Sequence, residues 1–280
     1  MRSIARTRPI ATERLGFIGA GRVGRGLSLA LSERGYAIAG VASRERGDAQ
    51  AVLDASDIVF LTVPDDAIAS ACASLRWNKG KAAVHCSGAA ELSVLHAAAE
   101  AGAQVGGFHP LQMFADPQVA ARGLAGCAIA VEAAPPLAAK LEAMVAALGA
   151  RLLSVPPGAR GAYHAGAHYA AAFVCALLDE AIEIWRRIGI APEDALAALL
   201  PLLRGATDAL AHAGPARAMA GAIARGDIDT VRRHLAALEK LGPERQRLYR
   251  TLALRCVPLA LAAGGMDASR AAEIRRLLDE

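Results

Sequence analysis

Three histidines and one serine are the residues whose types and placement could do chemistry. His164 and His168 stand four apart in YHAGAHYAAAF (163–173), a spacing that puts both imidazoles on one helix face. His109 precedes a proline in GFHPLQMF (107–114), which restricts its backbone to extended conformations and fixes where its ring points. Ser87 lies in HCSGA (85–89). An imidazole exchanges protons near neutral pH, and a hydroxyl can donate to a developing negative charge. The helical pair has three readings: metal ligands, rings packed in the interior and bonded to backbone, or proton donors to a substrate. The first needs two further ligands and lacks the glutamate of HExxH, so no metal is expected. His109 could equally be a structural residue, and Ser87 the cap of a helix starting near Glu91. Tyr163 is a further donor candidate. Cys86 reads as a small buried thiol with nothing nearby in sequence to stabilise a thiolate.

These side chains need elements to hold them. Residues 14–154 alternate short apolar runs with helical runs. The expected strands are RLGFIG (14–19), YAIAGVA (36–42), DIVFLTV (57–63), KAAVHC (81–86), AQVGGF (103–108), CAIAVEA (127–133) and RLLSV (151–155). Buried strands alternating with helices build a mostly parallel sheet. From about residue 157 the strand signal stops. Alanine- and leucine-rich helix follows, punctuated at Pro192, Pro201, Pro215, Pro243 and Pro258, several of them placed where a first helical turn begins. VPPGARG (155–161) is the expected junction. The layout is thus α/β, with an N-terminal Rossmann-type sheet carrying helices on both faces (1–155) and a C-terminal all-α domain (156–280).

The first strand runs into GAGRVG, residues 19–24, which is GxGxxG between a strand and a helix. Gly19 permits the tight turn, Gly21 lets backbone approach a pyrophosphate, and Gly24 lets the helix pack on the sheet. Ala20, Arg22 and Val23 complete the loop. At the end of the second strand an NAD site usually carries an acid for the ribose 2′-hydroxyl. Here VASRERG (41–47) offers Ser43 and Arg44, with Glu45 one step late. A hydroxyl and a guanidinium suit a 2′-phosphate, so NADP(H) is the expected cofactor. The third strand ends in VPDD (63–66), where Val63 and Pro64 could pass the nicotinamide ribose and Asp65 or Asp66 could cap the next helix.

Composition narrows the function classes. Lys and Arg number 31 against 27 Asp and Glu, a net charge of +4 without a basic stripe, so no nucleic-acid partner is expected. Arg2, Arg6 and Arg8 read as a disordered end rather than a targeting peptide, since no apolar segment follows. No stretch reads as long and apolar enough to cross a bilayer. Five cysteines without paired spacing suggest reduced thiols and a cytoplasmic setting.

GFIGAGRVG, LTVPDDAI, HCSGA, GFHPLQMF and the YHAGA that opens the helical half together resemble a bacterial family of Rossmann-like oxidoreductases with a C-terminal helical domain of unknown function. The resemblance covers nearly the whole chain. More distantly, the chain is similar to pyrroline-5-carboxylate reductases, β-hydroxyacid dehydrogenases and prephenate dehydrogenases, whose GxHP stretch resembles GFHPLQMF. The resemblance implies NADP-linked hydride transfer, an active site in the cleft between the domains, and a homodimer joined through the helical halves. β-Hydroxyacid dehydrogenases carry a lysine and, four residues on, an asparagine on the first long helix of the helical domain. The corresponding helix here carries His164 and His168, and Ala172 stands where the nearest family often has an asparagine.

The expectation is therefore an NADP(H)-dependent oxidoreductase moving a hydride to or from a small, carboxylated imine, ketone or alcohol. His109, His164, His168 and Ser87 are its candidate donors, and Arg217 and Arg225 its candidate carboxylate clamp. The missing lysine–asparagine pair keeps a second reading open: a non-catalytic protein that senses NADP(H) on the same fold.

Overall fold

Seven strands form one sheet in the order β2-β1-β3-β4-β5-β6-β7: β1 (Arg14–Ile18), β2 (Ala37–Ala42), β3 (Ile58–Leu61), β4 (Ala82–His85), β5 (Gln104–Pro110), β6 (Ala128–Ala133) and β7 (Arg151–Ser154). The computed structural model describes residues 12–280; the arginines at 2, 6 and 8 lie outside them. All seven expected strands form. Only β6 runs against its neighbour β5, and the other pairings are parallel. Strand order reverses at β1, with β2 on one side and β3 on the other. That reversal opens a crevice at the carboxyl ends of β1 and β3.

The helices among these strands are α1 (Arg22–Glu33), α2 (Ala49–Ala55), α3 (Ile68–Ala73), α4 (His96–Glu100), α5 (Pro117–Gly123) and α6 (Leu137–Leu148). Alternate strand residues feed two cores. Leu15, Phe17, Phe60, Val84 and Phe108 meet Leu27 and Leu31 of α1 and Leu141 and Met144 of α6. Ile18, Val59, Leu61 and Ala83 meet Leu53 of α2, Ile68 and Cys72 of α3 and Ala98 of α4. Period two then assigns His85 and His109 to the second face, because Val84 and Phe108 occupy the first.

The chain divides into two compact units, one running to Ala171 and one from Ala172 to Glu280. The first includes α7 (Arg160–Ala170), so the histidine pair groups with the sheet. The second holds α8 (Ala172–Arg187), α9 (Pro192–Ala218), α10 (Ile228–Glu239), α11 (Pro243–Ala262) and α12 (Ala268–Asp279). Its core is built by Val231 and Leu235 of α10, Ala253 and Val257 of α11 and Ile274 of α12. Pro192 and Pro243 open helices, whereas Pro201 and Pro258 lie inside them. Pro215 follows a break at Gly214 (φ 74°, ψ 169°).

One expectation is corrected. By length and composition alone, Arg160–Arg187 reaches the range of a membrane span, with a mean hydropathy of 1.2. Alanine outweighs its scattered polar residues in that average. The segment breaks at Ala171 (φ −129°, ψ −85°), and the polar face of α7 turns onto the sheet.

Candidate active site

The glycine loop comes first along the chain. Gly19 takes φ +114°, and a Cβ there would sit 2.5 Å from the Thr62 carbonyl. A Cβ on Gly24 would collide with the Gly19 carbonyl and lie 2.6 Å from Thr62 Oγ1. Thr62 Oγ1 donates to that carbonyl at 2.7 Å, and Gly19 N–H donates to Ala42 at 2.8 Å, which ties β1, β2 and β3 together at the turn. Gly21 opens α1 with no side-chain cap and open space over its Cα. The first N–H groups of α1 are therefore left to a ligand, at the positive end of the helix dipole.

A cleft of about 540 Å³ lies beside this turn. Gly19, Gly21, Ser43, Arg44, Val63 and Pro64 line it, and no carboxylate does. Of the other loop residues, Arg22 is exposed, and Ala20, Val23 and Gly24 are not among the lining. Ser43 closes the turn after β2: its N–H donates to the Arg46 carbonyl at 2.7 Å, and its Oγ accepts from Arg46 N–H at 3.2 Å. A dinucleotide fits this chemistry, with bare N–H groups for its phosphates, a wall without acids and a guanidinium at the rim.

The second group of polar side chains lies further along the sheet. Cross-strand register places Leu61, His85, Gly107 and Glu132 in one row. The Arg160 guanidinium lies over Gly107, where any Cβ would collide with it. Its Nε donates to Glu132 at 2.7 Å and its Nη1 to the Ser87 carbonyl at 3.1 Å, with the side chain 0% exposed. Glu91 receives the backbone N–H of Arg160 at 3.3 Å and of Gly158 at 3.4 Å, so it caps a helix that has no cap of its own.

Arg160 begins α7, and residues three, four and eight positions on share its face. These are Tyr163, His164 and His168. The Tyr163 hydroxyl lies 2.9 Å from His109 Nδ1. The His109 ring meets His164 edge-on at 5.7 Å between centroids, and His164 meets His168 at 4.8 Å. Gly88 lets the backbone reach these rings: a Cβ there would lie 2.5 Å from His164 Cδ2 and 2.8 Å from His109 Nε2. His109 is within β5 and not beyond its end, because antiparallel pairing with β6 continues through His109 and Pro110.

Ser87 is committed elsewhere. Its hydroxyl donates to Asp65 at 2.6 Å and accepts from Ala89 and Ala90 N–H at 3.2 and 2.9 Å. It closes a turn rather than capping a helix, and Asp65 binds Ser87 rather than capping the helix after it. Arg217 lies in the last turn of α9, near the Gly214 break, and Arg225 lies in a turn before α10. Among the described residues, no group of three or more His, Cys, Asp or Glu is placed to hold a metal. All five cysteines are free, and burial pushes the Cys86 thiol up.

Burial, then His164 and Arg160, hold His109 down at about 4, against which Asp65 pulls weakly. Burial and Arg160 hold His85 at about 4 as well. Burial pushes the Tyr163 phenol up. At neutral pH the pair is therefore a protonated phenol against a neutral imidazole. The stability consequence has a definite sign. An imidazole kept neutral by the fold takes up its proton only on unfolding, in the window between about 4 and the ordinary 6.5. Stability is flat above that window and falls as pH drops through it, by up to about 3 kcal/mol per histidine and less for a coupled pair. Denaturant unfolding at a series of pH values will show the drop, and His109→Asn will reduce it to the share that His85 contributes.

Arg160, Glu132 and His85 were not singled out from sequence, and Asp65 and Glu91 were read only as marking helix starts, not as partners of Ser87 and Arg160. Arg160 carried the one usable signal, since it stands four before His164 as His164 stands four before His168.

Comparison with known proteins bears on the fold. Residues 127–256 match a domain of unknown function, DUF2520. No curated protein sequence matches the chain. Among solved structures, a candidate NADP oxidoreductase from Bacteroides fragilis is 20% identical with a TM-score of 0.69, over 89% of this chain and 100% of that one. Pyrroline carboxylate reductase from Plasmodium falciparum with NADP bound is 12% identical with a TM-score of 0.61, over 96% and 99%. An imine reductase variant from Myxococcus stipitatus in complex with NAD+ is 20% identical with a TM-score of 0.55, over 94% and 99%. The fold is thus a Rossmann-like α/β unit followed by a helical region, as this group of oxidoreductases has it.

Proposed function

We propose that the protein is an NADP(H)-dependent oxidoreductase acting on a small imine, ketone or alcohol. The observation that carries this reading is the uncapped α1 N-terminus beside a cleft with Arg44 and no carboxylate in its lining. The similar proteins named above, two with NADP in their descriptions and one with NAD+ bound, support the cofactor class. Gly19 and Gly21 with the first turn of α1 would hold the pyrophosphate, Ser43 and Arg44 the 2′-phosphate, and Val63 and Pro64 the ribose beyond. Bound there, the nicotinamide supplies or accepts the hydride.

The chain's own residues handle the proton. Tyr163 is the donor, because its phenol stays protonated and its oxygen is oriented by His109 Nδ1. In the reducing direction the Tyr163 O–H points at the substrate oxygen or nitrogen on which charge develops. His164 and His168 extend the same wall. Ser87 acts through its hydroxyl bond to Asp65 and its carbonyl bond to Arg160, fixing the loop that carries Gly88 to the imidazoles.

The cofactor assignment is tested by titration with both cofactors. Wild-type protein is expected to bind NADPH at least about tenfold more tightly than NADH, and Arg44→Ala to erase the difference, because a charge-assisted fork contributes about 1.5–3 kcal/mol. Equal affinities in the wild type would overturn it.

The helical unit is proposed to pair with a second copy. Leu177 and Leu178 of α8 and Leu199, Leu202 and Leu203 of α9 line an apolar groove of about 300 Å³, and Leu202 is 70% exposed. Exposed apolar surface of this kind marks an association site. Sedimentation is expected to give a dimer that Leu202→Glu dissociates, and a monomeric wild type would end the idea.

A further inference from the structure

Alternate residues of β5 build one wall of the candidate site. Gly107 lies under the Arg160 guanidinium, and His109 holds the Tyr163 hydroxyl at its Nδ1. The next residue on that face is Leu111. β5 ends at Pro110, yet the ladder goes one step further. Leu111 N–H donates to the Ala128 carbonyl at 2.8 Å, in the register of the Pro110–Ile129 pair. Leu111 therefore stands on the His109 side of the sheet, one side-chain repeat beyond it.

Two cross-strand rows run from these residues to the sheet edge. His109 is followed by Ala130 and Leu153, and Leu111 by Ala128 and Arg151. Residues of one row share a face. Phe108 and Ile129 feed the core under α6 on the opposite face, so Leu111, Ala128, Leu153 and Arg151 stand outside that core. Leu111 is 39% and Leu153 36% exposed, and Arg151 is exposed too. The corner is an apolar floor interrupted by small alanines, with a guanidinium at its rim. Its approach is firmly built. Gln112 Nε2 donates to the Gly123 carbonyl at 2.7 Å, and the Phe114 ring packs against Gly26 of α1. Tyr163 belongs to the same corner, because its phenol lies within electrostatic range of Cys127, the residue before Ala128.

Charge decides what this floor would take. Arg160, the other cation beside Tyr163, is enclosed and bonded to Glu132 and the Ser87 carbonyl. Arg151 is free to meet a ligand at the surface. Two strand spacings put its Cα roughly 10 Å from that of Leu111. A guanidinium reaching back over Ala128 leaves room for a molecule of a few carbons between itself and the Tyr163 hydroxyl.

We propose that Leu111, Leu153 and Arg151 form the substrate floor of this site, and that Arg151 holds a carboxylate of the substrate. The substrate class narrows to small imino or keto acids, with the C=N or C=O at Tyr163 and the carboxylate at the sheet edge. Arg151 thus takes the clamp role expected from sequence of Arg217 and Arg225. The inference rests on the oxidoreductase reading for the reacting end, and its test reads binding alone.

The protein with NADP+ present is titrated at low salt with piperidine-2-, piperidine-3- and piperidine-4-carboxylate and with the three matching carboxamides. Calorimetry gives the affinities. NMR follows labelled leucine methyl groups, with Leu111 and Leu153 assigned by their loss in Leu111→Val and Leu153→Val. At least one carboxylate is expected to bind about tenfold or more tightly than its carboxamide, as a charge-assisted pair does, and to shift both leucine signals. Arg151→Gln is expected to bring the two affinities together, with the fold intact by thermal melt, and Arg151→Lys to keep part of the difference. A preference that survives Arg151→Gln overturns the proposal, because the carboxylate is then held elsewhere. So does the lack of a preference for any of the three carboxylates, or binding that leaves both leucines unmoved. Failure of the oxidoreductase reading looks different: carboxylates bind through Arg151, yet no hydride passes from NADPH to any imino or keto acid.

Discussion

Tyr163→Phe is expected to lower kcat about a hundredfold or more while leaving NADPH affinity unchanged, the usual weight of a positioned proton donor. The substitution removes one oxygen. The ring, its edge-on contact with His109 and the start of α7 all remain, because Arg160 and Glu91 hold the helix independently of the hydroxyl. What disappears is the group aimed at the charge that hydride transfer leaves behind. His109→Ala is expected to lower kcat by a similar factor, since it frees the phenol to rotate away from its 2.9 Å partner. The double variant should lose little beyond either single one, because residues acting as one unit are non-additive. Steady-state kinetics on any turned-over substrate reads all three, and an unchanged kcat in Tyr163→Phe would remove it from the donor role.

Gly19→Ala is expected to weaken NADPH binding by at least about a hundredfold. Alanine resists φ +114°, at a cost of about 1–3 kcal/mol. Its Cβ would also lie 2.5 Å from the Thr62 carbonyl, a backbone group just past the end of β3. The loop must move instead, and it carries the α1 N-terminus with it. The Gly19 carbonyl would then lose its bond from Thr62 Oγ1. Fluorescence titration measures the affinity, and a thermal melt beside it separates lost binding from lost fold. Affinity within a few fold of wild type would mean that phosphates bind elsewhere.

Legibility in the sequence followed the range of the forces involved. All seven strands could be read, because each is a short, mostly apolar run bounded by turn residues, although the edge strands β2 and β7 are largely exposed. The glycine turn could be read because Gly19 and Gly24 answer local demands, a positive φ and a close approach to Thr62. The face shared by His164 and His168 followed from helical spacing alone. What could not be read was set by cross-strand register. Nothing local says that Gly107, His85 and Glu132 form one row, or that a guanidinium from 53 residues later lies on it. VPPGARG reads as a linker because of its prolines and glycines, yet its arginine is the anchor that ties α7 to the sheet. Ser87 was equally ambiguous: its turn is local, but the Asp65 carboxylate that accepts its hydroxyl hydrogen bond comes from another strand end.

The most direct test follows the hydride itself. Wild-type protein is incubated with NADPH deuterated at the transferring carbon and with a panel of cyclic imines, imino acids and keto acids, and the products are read by mass spectrometry. The account predicts one deuterium on the former C=N or C=O carbon of at least one product, and none when Tyr163→Phe is used for the same brief time. NADPH bound tightly with no deuterium delivered to any member of the panel would contradict it.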